Sequence, residues 1–158
     1  MDRKESSPLI EALRREQANA VQLHLQYKGY HWNVSGPSFH DLHLLFDAHA
    51  TQVFEMIDEL AERQRILGAP ADYTLETLRQ ASNLVVEEKL PSNPREMVEH
   101  LVTSHRRVID GLKKGIEVAD GRGDPGTADL FTRFLQTHEK MEWFLREILE
   151  KAAPLSGK

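Results

Sequence analysis

The chain has 158 residues, 40% of them hydrophobic and 28% charged, with a formal net charge of −5 and no cysteine. That balance fits one globular domain over residues 1–158 with enough apolar mass for a core. It excludes disulfides, thiolate metal sites and a body that seeks nucleic acid by charge. No apolar run approaches the roughly 20 residues of a membrane span, and MDRKESSPLIEALRREQ lacks the apolar stretch of a signal peptide. A soluble, cytoplasmic protein is the expectation.

Helix punctuation can be followed from one end to the other. Ser7-Pro8 predicts an N-cap and a proline at the first helical position. The helix it opens carries an apolar face of Leu9, Leu13, Ala20, Val21 and Leu25 and runs to about Trp32. Gly36-Pro37 breaks the chain, and Ser38 with Asp41 resembles a capping box for a second helix. That helix runs to Leu67, before Gly68 and Pro70. Residues 69–92 are too many for a tight connection, and Thr74 to Ala81 can form a short helix inside them. Asn93-Pro94, with Glu96 following, starts a third long helix ending near Asp120. GRGDPG interrupts, and Asp124-Pro125 starts a fourth that reaches about Glu150. The sequence predicts an all-α, ferritin-like four-helix bundle with a short extra helix in the long crossover between the second and third helices.

The second helix carries two stripes. On a wheel of about 100° per residue, Leu45, Phe46, His49, Val53, Met56, Ile57 and Leu60 form the core-facing arc. His43, Asp47, Asp58 and Glu62 form another, centred about 150° away, so they point out of the bundle. Inward Glu-x-x-His pairs, which hold two irons inside such bundles, do not occur in the sequence. Ala50, Thr51, Phe54 and Ala61 share the outer arc, a mixture suited to a contact rather than to open water. His43 and Asp47 are four apart and can converge on one ion, as can Asp58 and Glu62. The two pairs nevertheless lie roughly 16 Å apart along the axis. A two-fold related copy, crossing antiparallel between residues 52 and 53, would set His43 against the partner's Glu62 and Asp47 against its Asp58. His31 can add a second imidazole. Such a ligand set suits iron, manganese or zinc.

The run His31-Trp32-Asn33-Val34-x-Gly36-Pro37-x-Phe39, followed by His43, Asp47, Asp58, Glu62 and Arg63, resembles the Dps family, the mini-ferritins named as DNA-binding proteins from starved cells. The match is detailed over the first two helices and looser beyond, through the short crossover helix and Thr127-Ala128-Asp129. It implies a hollow, tetrahedral homododecamer. It also implies a ferroxidase that oxidises Fe(II), preferably with hydrogen peroxide, stores Fe(III) as mineral and so limits oxidative damage. His31, His43 and Asp47 would come from one subunit, Asp58 and Glu62 from its neighbour, with Asp47 and Glu62 reaching both metal positions. Carboxylates near the start of the fourth helix would line an iron-entry pore, which makes Asp129, Asp124 and Asp120 the candidates. Asp124 also has an adequate role as an N-cap.

Trp32 fits two roles: an oxidisable ring that traps radicals, or an interface anchor, which is the commoner use. His49 belongs to the core and His40 to the surface, while His24, His100, His105 and His138 lack partners at ligand spacing. DNA binding is expected to be weak or absent, because Arg3 and Lys4 are balanced by Asp2 and Glu5 and the end KAAPLSGK offers only two lysines. Two alternatives stand beside this reading: a DNA-condensing protective protein, which a basic tail would support, and passive zinc or manganese sequestration at the same ligands.

Overall fold

The computed structural model describes residues 7–150. Five helices follow one another: α1 (Pro8–Asn33), α2 (Phe39–Ile66), α3 (Leu75–Ala81), α4 (Pro94–Gly121) and α5 (Pro125–Leu149). The described residues contain no strand, as the sequence predicted. Helices α1 and α2 pack as one pair and α4 and α5 as another, joined chiefly through α1 against α4. Among the described residues no helix is long and apolar enough to cross a membrane. The tail residues Asp2, Arg3, Lys4 and Glu5 and the segment 151–158 lie outside the described residues.

The caps expected at Ser7, Asn93 and Asp124 form, and Thr74 adds another. Ser7 Oγ accepts from Ile10 N at 3.4 Å, Thr74 Oγ1 from Thr77 N at 3.2 Å, and Asp124 Oδ1 from Thr127 N at 3.1 Å. At Asn93 the box is reciprocal: its Oδ1 accepts from Glu96 N at 3.0 Å, while the Glu96 carboxylate accepts from Asn93 Nδ2 and Ser92 N. Ser38 is the exception, because its side chain makes no cap bond. Its backbone (φ −92°, ψ 10°) is already coiled, Leu42 N bonding to Ser38 O and Phe39 N to Gly36 O. A cap side chain needs the extended backbone that Ser7, Thr74 and Asn93 have. The turn relies on Gly36, at φ +94°, a conformation costly for any residue with a Cβ.

Two apolar assignments are corrected. Leu25 is 49% exposed, and α1 buries Leu23, Tyr27 and Tyr30 instead, continuing the face of Leu9, Leu13 and Ala20. Ala50 lies buried rather than on the outer arc of α2, since its small side chain lets α1 approach closely enough for His24 Nδ1 to donate to Ala50 O at 2.9 Å.

The polar residues that α1 buries hold the crossover. Arg14 grips Asp72 with two bonds of 2.9 Å, and Gln17 Nε2 donates to Asp72 O at 2.9 Å. Asn19 Oδ1 accepts from Ser82 Oγ and Asn83 N. These bonds supply partners to a connection too long to carry its own.

Between α4 and α5, Gly115 lies so close to Phe131 that an added Cβ would sit 2.6 Å from a ring carbon. Gly115→Ala is expected to destabilise the bundle by about 1–3 kcal/mol through overpacking. Phe131→Leu in the same chain should recover part of that loss, both read as shifts in the guanidinium midpoint.

Candidate metal centre

The hairpin between α1 and α2 brings His31 and His43 together. Their rings stack with centroids 3.8 Å apart and planes 19° from parallel. His31 Nδ1 lies 2.8 Å from His43 O, and His43 Nδ1 lies 2.9 Å from His31 O. A carbonyl oxygen only accepts, so both Nδ1 atoms carry the proton and both Nε2 atoms keep a lone pair. This second bond is the usual way a metal-binding imidazole has its tautomer and orientation fixed. Each residue here performs that service for the other.

Asp47 sits one turn further along α2. Its Oδ1 accepts from Lys28 Nζ at 2.7 Å, and that bond holds the carboxyl below its usual range. Lys28 also lies 5.9 Å over the Trp32 ring, which is itself 67% exposed. The sequence reading missed Lys28. Its signal was available, since residues 28, 31 and 32 share one face of a helix.

Asp58 and Glu62 are exposed further along α2. Among the described residues of one chain, no three His, Asp or Glu side chains stand close enough to hold an ion. The structure therefore brings together His31 and His43, with Asp47 beside them, and leaves Asp58 and Glu62 apart. Phe54, 59% exposed and packed on the His24 ring at 5.2 Å, lies between the two acidic groups.

A ferritin-like domain model matches residues 10–154. The chain is 34% identical over 155 residues to DNA protection during starvation protein 1 of Deinococcus radiodurans, spanning 95% of this chain and 72% of that protein. Dps from Thermosynechococcus elongatus superposes with a TM-score of 0.90 and 40% identity, over 94% of each chain. Dps from Vibrio cholerae O1, described as a member of a broad superfamily of ferritin-like diiron-carboxylate proteins, does so at 0.85 and 30% identity, over 90% of this chain and 89% of that one. The chain belongs to the Dps family.

Other residues of this Dps chain sort by their partners. Arg63, next to Glu62, donates through Nε to Thr127 Oγ1 at 2.9 Å and pairs through Nη2 with Asp124 Oδ1. Asp124 is thus committed twice, as the cap of α5 and as the partner of Arg63. Asp120 and Asp129 are exposed, Asp129 with Arg133 at 3.4 Å. His40 is exposed beside Asp41, and His100 Nδ1 meets Tyr30 Oη at 3.1 Å. His49 is internal and bonded to Tyr27, as predicted. His105 and His138 are buried and bonded to each other, which their sequence spacing did not reveal.

Proposed function

We propose that this Dps chain is an iron-storing ferroxidase, which oxidises Fe(II) with hydrogen peroxide and keeps the ferric product as mineral inside a hollow homododecamer. The observation that carries the reading is the reciprocal His31–His43 pair, which leaves two Nε2 lone pairs beside Asp47 at the protein surface. Asp58 and Glu62 of a two-fold related chain complete the set. Iron(II) is the substrate, held by imidazole nitrogen and carboxylate oxygen, a donor set suited to it. His31 and His43 fix its position; Asp47 and the neighbour's Glu62 each present two oxygens and can bridge a pair of ions. Two Fe(II) give two electrons to one peroxide, which takes up two protons and leaves as two waters, so no hydroxyl radical is released. Asp129 and Asp120 are the proposed entry carboxylates, and Asp124 a weaker one given its two commitments. Trp32 is proposed as an interface anchor, with radical trapping as its second role.

The D. radiodurans relative is named for DNA protection. For this chain, with net charge −5, protection through iron chemistry fits better than condensation of a phosphate polymer. Stopped-flow absorbance of metal-free protein mixed anaerobically with Fe(II), then with peroxide or air, tests the proposal. Rapid oxidation near two irons per peroxide is expected. Binding without acceleration over buffer would favour passive zinc or manganese sequestration instead.

Lys28 competes with the substrate for Asp47. The pair is partly exposed to solvent and so weak, and Lys28→Met is expected to tighten the first metal equilibrium by no more than about fivefold. Anaerobic calorimetry with Fe(II) reads this directly, and an unchanged affinity would show that the ammonium swings away without cost.

A further inference from the structure

Four polar side chains meet inside the bundle, one from each long helix, and the iron chemistry uses none of them. Tyr27 Oη (α1) lies 2.6 Å from His105 Nε2 (α4) and 3.0 Å from His49 Nδ1 (α2). His105 Nδ1 lies 2.9 Å from His138 Nδ1 (α5). The lengths favour one of the two proton orders that the four groups allow. A contact of 2.6 Å belongs to an O–H donor and one of 3.0 Å to an N–H donor. His49 Nδ1–H therefore donates to Tyr27 Oη, and the Tyr27 O–H donates to His105 Nε2. His105 Nδ1–H is left to donate to His138 Nδ1. The protons run in one direction, from His49 to His138.

Tyr27 is fully enclosed. Burial raises the phenol's pKa, so losing the proton alone is disfavoured. Losing an electron alone would leave a buried cation, which is equally unfavourable. Only loss of both together avoids a charge on the ring, and an imidazole at 2.6 Å is placed to take the proton. Tyr30 also has a histidine partner, but at 3.1 Å and with no second imidazole beyond it.

We propose that Tyr27 is a redox-active tyrosine, a one-electron donor whose phenolic proton passes to His105 as the electron leaves. The Tyr27 O–H bond breaks and an N–H bond forms at His105 Nε2. The proton on His105 Nδ1 moves to His138 Nδ1. The electron goes to an oxidant of the hydroxyl-radical class, formed when a lone Fe(II) gives peroxide one electron instead of a pair giving two; it takes up a proton and becomes water. A neutral phenoxyl radical and a neutral His105 remain, with the charge on His138. His138 is 2% exposed and burial disfavours a lasting charge there, so the proton is held only briefly and returns along the same path when the electron is replaced. A further Fe(II) can return the electron while the proton is taken up again. That biological oxidant and reductant rest on the proposed iron chemistry, whose His31 stands one turn from Tyr27 on α1; the chemistry of the phenol does not.

The test uses metal-free, full-length protein oxidised by photogenerated tris(bipyridyl)ruthenium(III), with freeze-quench electron paramagnetic resonance as the readout. It is therefore separate from the iron experiment. A tyrosyl signal that narrows with ring-deuterated tyrosine is expected in the wild type and lost in Tyr27→Phe. The chain has three tyrosines, so the Tyr30→Phe, Tyr73→Phe double variant retains Tyr27 alone and must keep the signal, which guards against misfolding of Tyr27→Phe. His105→Asn, which can accept a hydrogen bond but not a proton, should lower the radical yield at least tenfold. An unchanged signal in Tyr27→Phe, a signal insensitive to tyrosine labelling, or full yield in His105→Asn would each overturn the proposal.

Discussion

Alanine at both Asp58 and Glu62 should slow peroxide-driven iron oxidation by on the order of 100-fold or more, with the oligomer intact. These side chains are exposed on α2 and hold nothing in the core. A His43→Ala, Asp47→Ala double variant should be equally slow. The decisive result comes from assembling the two variants in one shell. In a two-fold site, one chain gives His31, His43 and Asp47 while its neighbour gives Asp58 and Glu62. Each mixed pair then keeps one whole site and carries one doubly damaged site. Random assembly makes half the pairs mixed, so about a quarter of the wild-type activity should return. Sites built within single chains predict no recovery at any mixing ratio. Stopped-flow absorbance on shells of verified composition separates the two cases.

Acid should destabilise the bundle through its interior histidines. Burial holds His49 and His138 down to about 4, and His105 well below its usual value. Between pH 6.5 and 4 the unfolded chain binds protons that the folded one refuses, so stability falls as pH falls through that window. At about 1.4 kcal/mol per pH unit per group, His49 and His138 together lose on the order of 5 kcal/mol between pH 6.5 and 4.5, and His105 adds to the loss. Glu16 acts in the opposite sense. Burial raises its carboxyl to about 7, so the folded state binds the extra proton and stability falls as pH rises from 4.5 to 7. Its contribution, about 3 kcal/mol over that span, offsets only part of the histidine effect at low pH. Stability should therefore be greatest near neutrality and decline steeply below pH 6. Glu16→Gln, which keeps the shape but not the charge, should gain about 3 kcal/mol at pH 8 and little at pH 4.5. Denaturant titrations across that range would show both slopes, and a flat profile would mean that water reaches these groups.

The helices were legible because their ends are written in short-range chemistry. Ser7, Asn93 and Asp124 each precede a proline, and each caps its helix. Ser38 failed because the tight turn at Gly36 fixed its backbone before its side chain could act. Leu25 was misplaced because a short apolar list cannot fix the phase of a helix whose buried face includes Glu16, Gln17, Asn19 and Gln26. Those polar residues are buried because the crossover and the neighbouring helices need partners, a long-range demand that α1 does not announce. The outer stripe of α2 was readable from spacing alone. Lys28 could be placed on the face of His31 and Trp32 by its spacing, but its pairing with Asp47 could not, since nothing in its own helix says that Asp47 lies opposite.

The mutual bonds of His31 and His43 make them one unit rather than two independent side chains. Neither ring can turn without freeing the other's carbonyl, so the freedom that ligands commonly surrender on capture has already been given up in folding. Loss of either imidazole would therefore cost one donor and the stacked face, while the survivor keeps its bond to a backbone carbonyl that any replacement residue also supplies and so stays aimed. A clasp so stiff also discriminates. It suits an ion content with a few directional nitrogen and oxygen bonds, and it poorly serves one that needs a wide, yielding cage of oxygens, as calcium does.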